Sequence, residues 1–456
     1  MAPLWDFSEQ LIYQILSVPF AVLFYYLTTR GYLTLVQRYL YLTAGGILLA
    51  VVSMGWYSTV LFASVLISTS VIHLVDSRRV HLCACTVLMF WQSLWHAVLL
   101  HKLHWHHAQP VDPRCLVMMS SLMLLTQRVT SVSMDVEDGK VILPPGIKER
   151  LHISNLLPFI CYNLSFTSML GGPLCSYNHF LSFLLHIQQH PPPSPLSRVF
   201  LRLSWVAAIE GFKCILMFIL QISSANLNYF HSLQGALWMW NLSLFLKMSY
   251  YSHWAVSECL NNAIGLGYRG NLQDGSSKSW NGLSDGELWT TETSCRLSEF
   301  TRMWNGTTAA WLRRLVYQRC KAWPLVLTFG FSALWHGLYP GQVAGFALWA
   351  ASVKADRHIH RYLKPRVTSP WRRKTLTSLS WIQTQMTIAC VVIAIEVWHA
   401  SLWFYCIRCL LKPPLLKWFA PLNLGHPTIN TQWNIPSGSL TKEVTAAGKL
   451  MAPLVA

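Results

Sequence analysis

Apolar runs of about 20 residues recur along this chain, and a run of that length is what a helix needs to cross a hydrocarbon core. They occupy 11–27, 39–54, 57–75, 81–101, 115–133, 153–170, 199–222, 229–251, 323–352 and 376–411. The 323–352 run is too long for a simple crossing, and the last is long enough for one span and part of another. The fold class expected is therefore all-α: a polytopic transmembrane helical bundle of about ten to eleven spans with one bent or re-entrant element. Composition agrees, since 53% of residues are hydrophobic and only 12% charged, too few charges to cover a soluble surface of this size. The 22 Trp fit the headgroup level of a bilayer. A formal net charge of +17 in a soluble protein would point to nucleic acid. Here the charge lies between apolar runs, where lipid headgroups, the positive-inside bias or a phosphate-bearing cosubstrate account for it.

Asp6 and Glu9 precede the first run, and Arg30 and Arg38 follow it. This argues against a cleavable signal and for a non-cytoplasmic N-terminus. Pro191, Pro192, Pro193 and Pro195 mark a stiff linker at 186–197, and 267–295 reads as the longest polar loop. Residues 354–374 carry eight Lys and Arg against Asp356 alone and are expected to form a cytoplasmic loop. The main domain is expected over 1–420, with a polar, disordered tail at 421–456. Several cysteines (Cys83, Cys85, Cys161, Cys390) sit in apolar runs as small hydrophobes, and Cys406 with Cys409 makes a lone Cys-x-x-Cys, weak evidence for metal.

The segment from Trp323 to Val353 is the most informative. As one helix it would be about 45 Å long, beyond any hydrocarbon core. Gly337, Pro340 and Gly341 provide a break just after His336. Basic clusters flank the segment on both sides, as a hairpin that returns to its starting face would require. A histidine at membrane depth is costly unless it is used, which makes His336 a candidate functional group. The preceding stretch, 296–321, alternates Trp and Leu with Arg, as an amphipathic interfacial helix does. Asn305 stands there in Asn-Gly-Thr, a formal glycosylation acceptor that the surrounding positive charge disfavours.

Trp304-Asn305, followed some thirty residues later by Leu334-Trp335-His336-Gly337, resembles the membrane-bound O-acyltransferase family. Ser121–Val141, the Leu-Gly-Gly-Pro-Leu-Cys-Ser of 170–176, Lys247–Trp254, Trp311–Gln318 and Trp335–Val343 extend that resemblance over about residues 10–410. It implies an acyl-CoA-dependent serine O-acyltransferase of the endoplasmic reticulum membrane with His336 and Asn305 as its catalytic pair. It also implies octanoyl-CoA as cosubstrate, the peptide hormone precursor proghrelin as acceptor, and no cofactor. On the residues themselves, Arg302, Arg313 and Arg314 are candidates for the CoA phosphates, because guanidinium binds phosphate bidentately. Trp304 is counted with them as substrate-binding, and Phe329 and Trp349 as walls of the acyl cavity.

Three other readings stay open, one of them a non-enzymatic transporter or receptor, which about ten spans would also fit. A lysophospholipid O-acyltransferase of the same family would share the pair and differ in acceptor. A membrane di-iron hydroxylase would use His96, His101, His104, His106 and His107, although such enzymes need further His boxes and only His358 and His360 offer one.

Overall fold

The computed structural model describes residues 9–105, 112–224, 233–269, 279–280, 282–363 and 369–396. Its helices are α1 (Glu9–Leu16), α2 (Val18–Thr29), α3 (Leu35–Met54), α4 (Ser58–Leu74), α5 (Val80–Trp105), α6 (Pro113–Glu137), α7 (Ile147–Arg150), α8 (Ile153–Leu164) and α9 (Tyr177–His186). There follow α10 (Leu196–Ser224), α11 (Leu233–Ile264), α12 (Leu288–Glu292), α13 (Leu297–Met303), α14 (Gly306–Leu312), a π-helical turn at Arg313–Tyr317, α15 (Pro324–His336), α16 (Pro340–Leu363) and α17 (Pro370–Glu396). Among the described residues the only other pairing is an isolated bridge between Arg269 and Ser279. The chain is all-α, as its sequence implies. Cys406, Cys409 and the 421–456 tail lie outside the described residues.

Among the described residues, six stretches are long and apolar enough to cross a membrane: Gln10–Thr29, Leu35–Leu74, Val80–His101, Pro113–Glu137, Leu196–Ile222 and Pro370–Glu396. Three physical reasons separate this from the ten to eleven expected. The 40 residues of Leu35–Leu74 amount to two spans, divided where Gly55 turns to φ 57° and opens a 3-10 turn. Helix α11 buries Lys247, His253, Glu258, Asn261 and Asn262, which lower its hydropathy. Helices α8 and α15, with 12 and 13 residues, are too short; each is only about 20 Å long. The basic stretch at 354–374 is also not the loop expected, since α16 runs to Leu363 and α17 starts at Pro370.

Helix α6 organises the rest, for every residue from Cys115 to Val136 is buried. One face joins the main apolar core with α3, α4, α5 and α8. Buried among protein, its polar residues need protein partners. Arg128 donates to the Asn163 carbonyl (3.2 Å) and Gln127 to Thr308 (2.9 Å). A second polar knot fastens the loop after α11. There the fully buried Lys247 meets Glu292 at 2.5 Å and Gln385 at 3.2 Å, while Trp381 and Gln385 donate to the Glu292 carbonyl.

Gly46 permits the closest approach of two chain segments, α3 against the end of α8. A Cβ there would lie 1.5 Å from the Leu164 carbonyl oxygen, on backbone that cannot swing away. Gly46→Ala is expected to cost about 1–3 kcal/mol or more, read as a lower unfolding midpoint in detergent. Gly211→Ala, with nothing within 4 Å of the added carbon, should leave the midpoint in place or raise it.

Candidate active site

Helix α15 begins with Pro324 in its first turn and ends at His336. Gly337 (φ 109°) and Leu338 (φ 58°) then take left-handed conformations, and their N–H groups bond back to Leu334 (3.1 Å) and Ala333 (2.9 Å). Glycine is needed at 337 for space as well, because a Cβ would meet His96 Nδ1 at 2.5 Å. The break expected after His336 is therefore present, and α15 and α16 pack together as its two arms. Gln92 of α5 donates to the Trp335 carbonyl, and the Trp335 indole donates to the Met123 carbonyl at 3.3 Å. Both bonds hold the C-terminal end of α15 against α5 and α6.

His336 faces a small cavity of about 20 Å³, room for little more than a water molecule. His96, Ser120, Tyr250, Gln342 and Glu396 form its polar wall, and Leu99, Met119, Met123 and Ile395 its apolar one. Tyr250 donates to Glu396 across α11 and α17. The Phe346 ring lies 5.2 Å from the His336 ring, continuing into Phe329 (6.4 Å) and Trp349 (6.3 Å). Phe329 and Trp349 are thus packed together behind Phe346, one ring removed from His336, and neither lines the cavity itself.

Asn305 sits at the head of α14 with φ 47°. Asn tolerates this left-handed backbone better than most residues. Its Oδ1 accepts from the Thr308 N–H (3.3 Å), so the side chain caps α14. The Asn305 side chain is not among those lining the cavity, and no described contact joins it to His336. The link runs through its neighbour: Trp304 stacks on Phe300 (5.6 Å) and packs edge-on against Tyr250 (5.4 Å), which does line the cavity.

The head of α14 is where the segments that carry the family resemblance meet. Gly306 N–H bonds to the Asp285 carbonyl at 2.6 Å, and Thr307 bonds to the Asp285 carboxyl while accepting from Leu174 N–H (3.0 Å). Trp311 donates to Thr130 at 3.1 Å. Of the basic candidates, Arg314 is occupied by Asp135 and Asp138, each at 2.7 Å, so its charge is already answered. Arg302 and Arg313 are exposed.

His96 joins the wall of the cavity. It lies at the cavity with Nδ1 3.4 Å from the Tyr339 hydroxyl, whereas His101 is exposed. The side chains of His104, His106 and His107 lie outside the described residues. Among the described residues no group of three or more His, Cys, Asp or Glu could hold a metal. The sequence reading missed Gln342, Tyr250, Glu396 and the place of His96. Tyr250 and Gln342 stood inside quoted motifs, and a lone acid within the 376–411 apolar run was a readable signal for Glu396.

Residues 147–394 match the model of the membrane-bound O-acyltransferase family. The chain belongs to that family. It is 38% identical over 393 residues to the membrane-bound ghrelin O-acyltransferase MBOAT4 of Rattus norvegicus, covering 84% of this chain and 88% of that protein. The Mus musculus counterpart is 38% identical over 392 residues, with the same coverage. The membrane-bound glycerophospholipid O-acyltransferase 1 of Mus musculus is 26% identical over 431 residues, 86% of this chain and 84% of its own.

Burial pushes the carboxyl of Asp285 up to about 7, against the opposing bond from Thr307. The fold thus accommodates the neutral acid. Its contribution to stability is greatest below the ordinary carboxyl range and is lost as pH rises through about 7. The unfolding midpoint should fall between about pH 6 and about pH 8, and Asp285→Asn should reduce that difference.

Proposed function

We propose that this chain moves a medium-chain acyl group, octanoyl by preference, from acyl-CoA to a serine hydroxyl of proghrelin at the endoplasmic reticulum membrane. The observation that carries the reading is a histidine that ends a half-length helix and faces a cavity inside the bundle, in a chain 38% identical to a ghrelin O-acyltransferase over 84% of its length.

In this reaction the serine oxygen attacks the thioester carbonyl as His336 Nε2 or Nδ1 takes its proton. The tetrahedral adduct collapses, the C–S bond breaks, and the thiolate leaves with the proton returned by His336. The role of Asn305 is to orient the reacting groups from the head of α14. Arg302 and Arg313, exposed and free of the ion pairs that occupy Arg314, are the better partners for CoA phosphates. Acyl-CoA is a cosubstrate, and the chemistry calls for no cofactor.

A second reading, transfer to a lysophospholipid, is favoured by the glycerophospholipid O-acyltransferase relatives, which match along 86% of this chain. Membranes supplied with labelled octanoyl-CoA and either a short proghrelin peptide or a lysophospholipid separate the two. Label in the lipid alone would replace the peptide reading. His336→Ala should abolish label transfer while the protein remains inserted, and retained transfer would remove His336 from the chemistry.

The Phe329–Phe346–Trp349 stack gives a second prediction. Phe329→Ala opens space behind the ring that touches His336 and should shift preference from octanoyl toward decanoyl. A methylene is worth only about 1–3 kcal/mol, so a change of roughly 10- to 100-fold in the ratio of kcat/KM values is the scale to seek. An unchanged ratio would take Phe329 out of chain-length selection.

A further inference from the structure

An acyl transfer at this cavity needs a hydrogen-bond donor for the oxygen that becomes negative when the thioester carbonyl is attacked. Asn305 caps α14 through its Oδ1 and does not line the cavity, so its Nδ2 donor is not placed there. The geometry points to Gln342 as that donor: its carboxamide lines the cavity beside His336, at the N-terminal turn of α16. The inference rests on the acyl-transfer reading above and adds a substrate-contacting residue to it.

Two independent observations support it. Six glutamines are buried: Gln10, Gln14, Gln92, Gln127, Gln342 and Gln385. Five of them spend the side-chain amide on the fold, donating to the Leu170 carbonyl, Ser257, the Trp335 carbonyl, Thr308 and the Glu292 carbonyl. Gln342, 7% exposed, makes no such bond among the described residues, so its Nε2 donor is unspent, whereas the unpartnered Oε1 it shares with Gln10 and Gln92 is only an acceptor. A donor left unpaired away from water costs about 1–3 kcal/mol, which an occupant's oxygen accepting from Nε2 would recover.

The second observation is the helix end itself. Helix α16 is 24 residues long and starts with Pro340, which has no N–H. Val343 N–H is taken by the Tyr339 carbonyl at 2.9 Å, whereas the N–H groups of Gly341 and Gln342 have no partner among the described residues. Free N–H groups and the positive end of a helix dipole both favour a negative oxygen there. Backbone and side chain of Gln342 thus serve one purpose from one residue.

The test compares Gln342→Met, which keeps the volume and removes the amide, with Gln342→Glu, which keeps the shape and cannot donate when ionised. In both, kcat for octanoyl transfer should fall about 100- to 1,000-fold, as for other oxyanion donors. The KM for octanoyl-CoA should stay within a few-fold of wild type. The unfolding midpoint of Gln342→Met should equal or exceed that of wild type, because an unpaired buried amide has been removed. A fall in kcat with a lowered midpoint would mean that the amide supports the fold. A loss confined to KM would make it an acceptor-binding group. Wild-type kcat in both variants would also overturn the inference while leaving the acyl-transfer reading intact. An inactive wild type, with peptide and lysophospholipid acceptors alike, would overturn both.

Discussion

A polar helix buried along nearly its whole length is the constraint on which this structure depends. Helix α6 carries Ser, Thr, Gln, Arg and Asp along a length that is buried throughout, so its hydrogen-bonding groups must find protein partners or remain costly. The partners come from both sides of the sequence. Asn163 answers Arg128, whereas Thr308, Trp311 and Arg314 answer Gln127, Thr130 and Asp135. The N-terminal half of the bundle is thereby joined to the segment bearing Asn305 by bonds rather than by apolar contact alone. In lipid, where apolar surfaces gain little by meeting each other, such bonds and close packing are what give a bundle one arrangement.

How legible this was in the sequence depends on whether the signal was local. Most long helices fall within a few residues of the apolar runs, and the break after His336 follows from Gly337 and Pro340. Those are one-dimensional features, set by length and backbone stereochemistry. The count of crossings was less readable, because hydropathy averages over a helix such as α11, whose charged groups are hidden by partners far away in sequence. Lys247 shows why: nothing near it announces Glu292 or Gln385.

The same distinction runs through the site. His336 was visible because a histidine in an apolar run is anomalous on its own, whereas Phe329, on the same helix face, turned out to lie one ring away behind Phe346. The cavity, however, draws its wall from α5, α6, α11, α15, α16 and α17. Only the fold brings His96, Tyr250 and Glu396 together there. Arg314 is the converse case. A basic residue beside an amphipathic helix reads equally well as a phosphate ligand or as half of an ion pair, and Asp135 of α6 with Asp138 just past its end decides it.

The shortness of α15 carries one more consequence. A helix that stops inside a bilayer leaves carbonyls that a full-length span would expose to water. Here two are closed by the following turn and that of Trp335 by the Gln92 amide from α5. The position of the imidazole within the bundle is therefore set by a neighbour's side chain rather than by the extent of its own helix, so sliding α15 along its axis would first have to break the bond to α5.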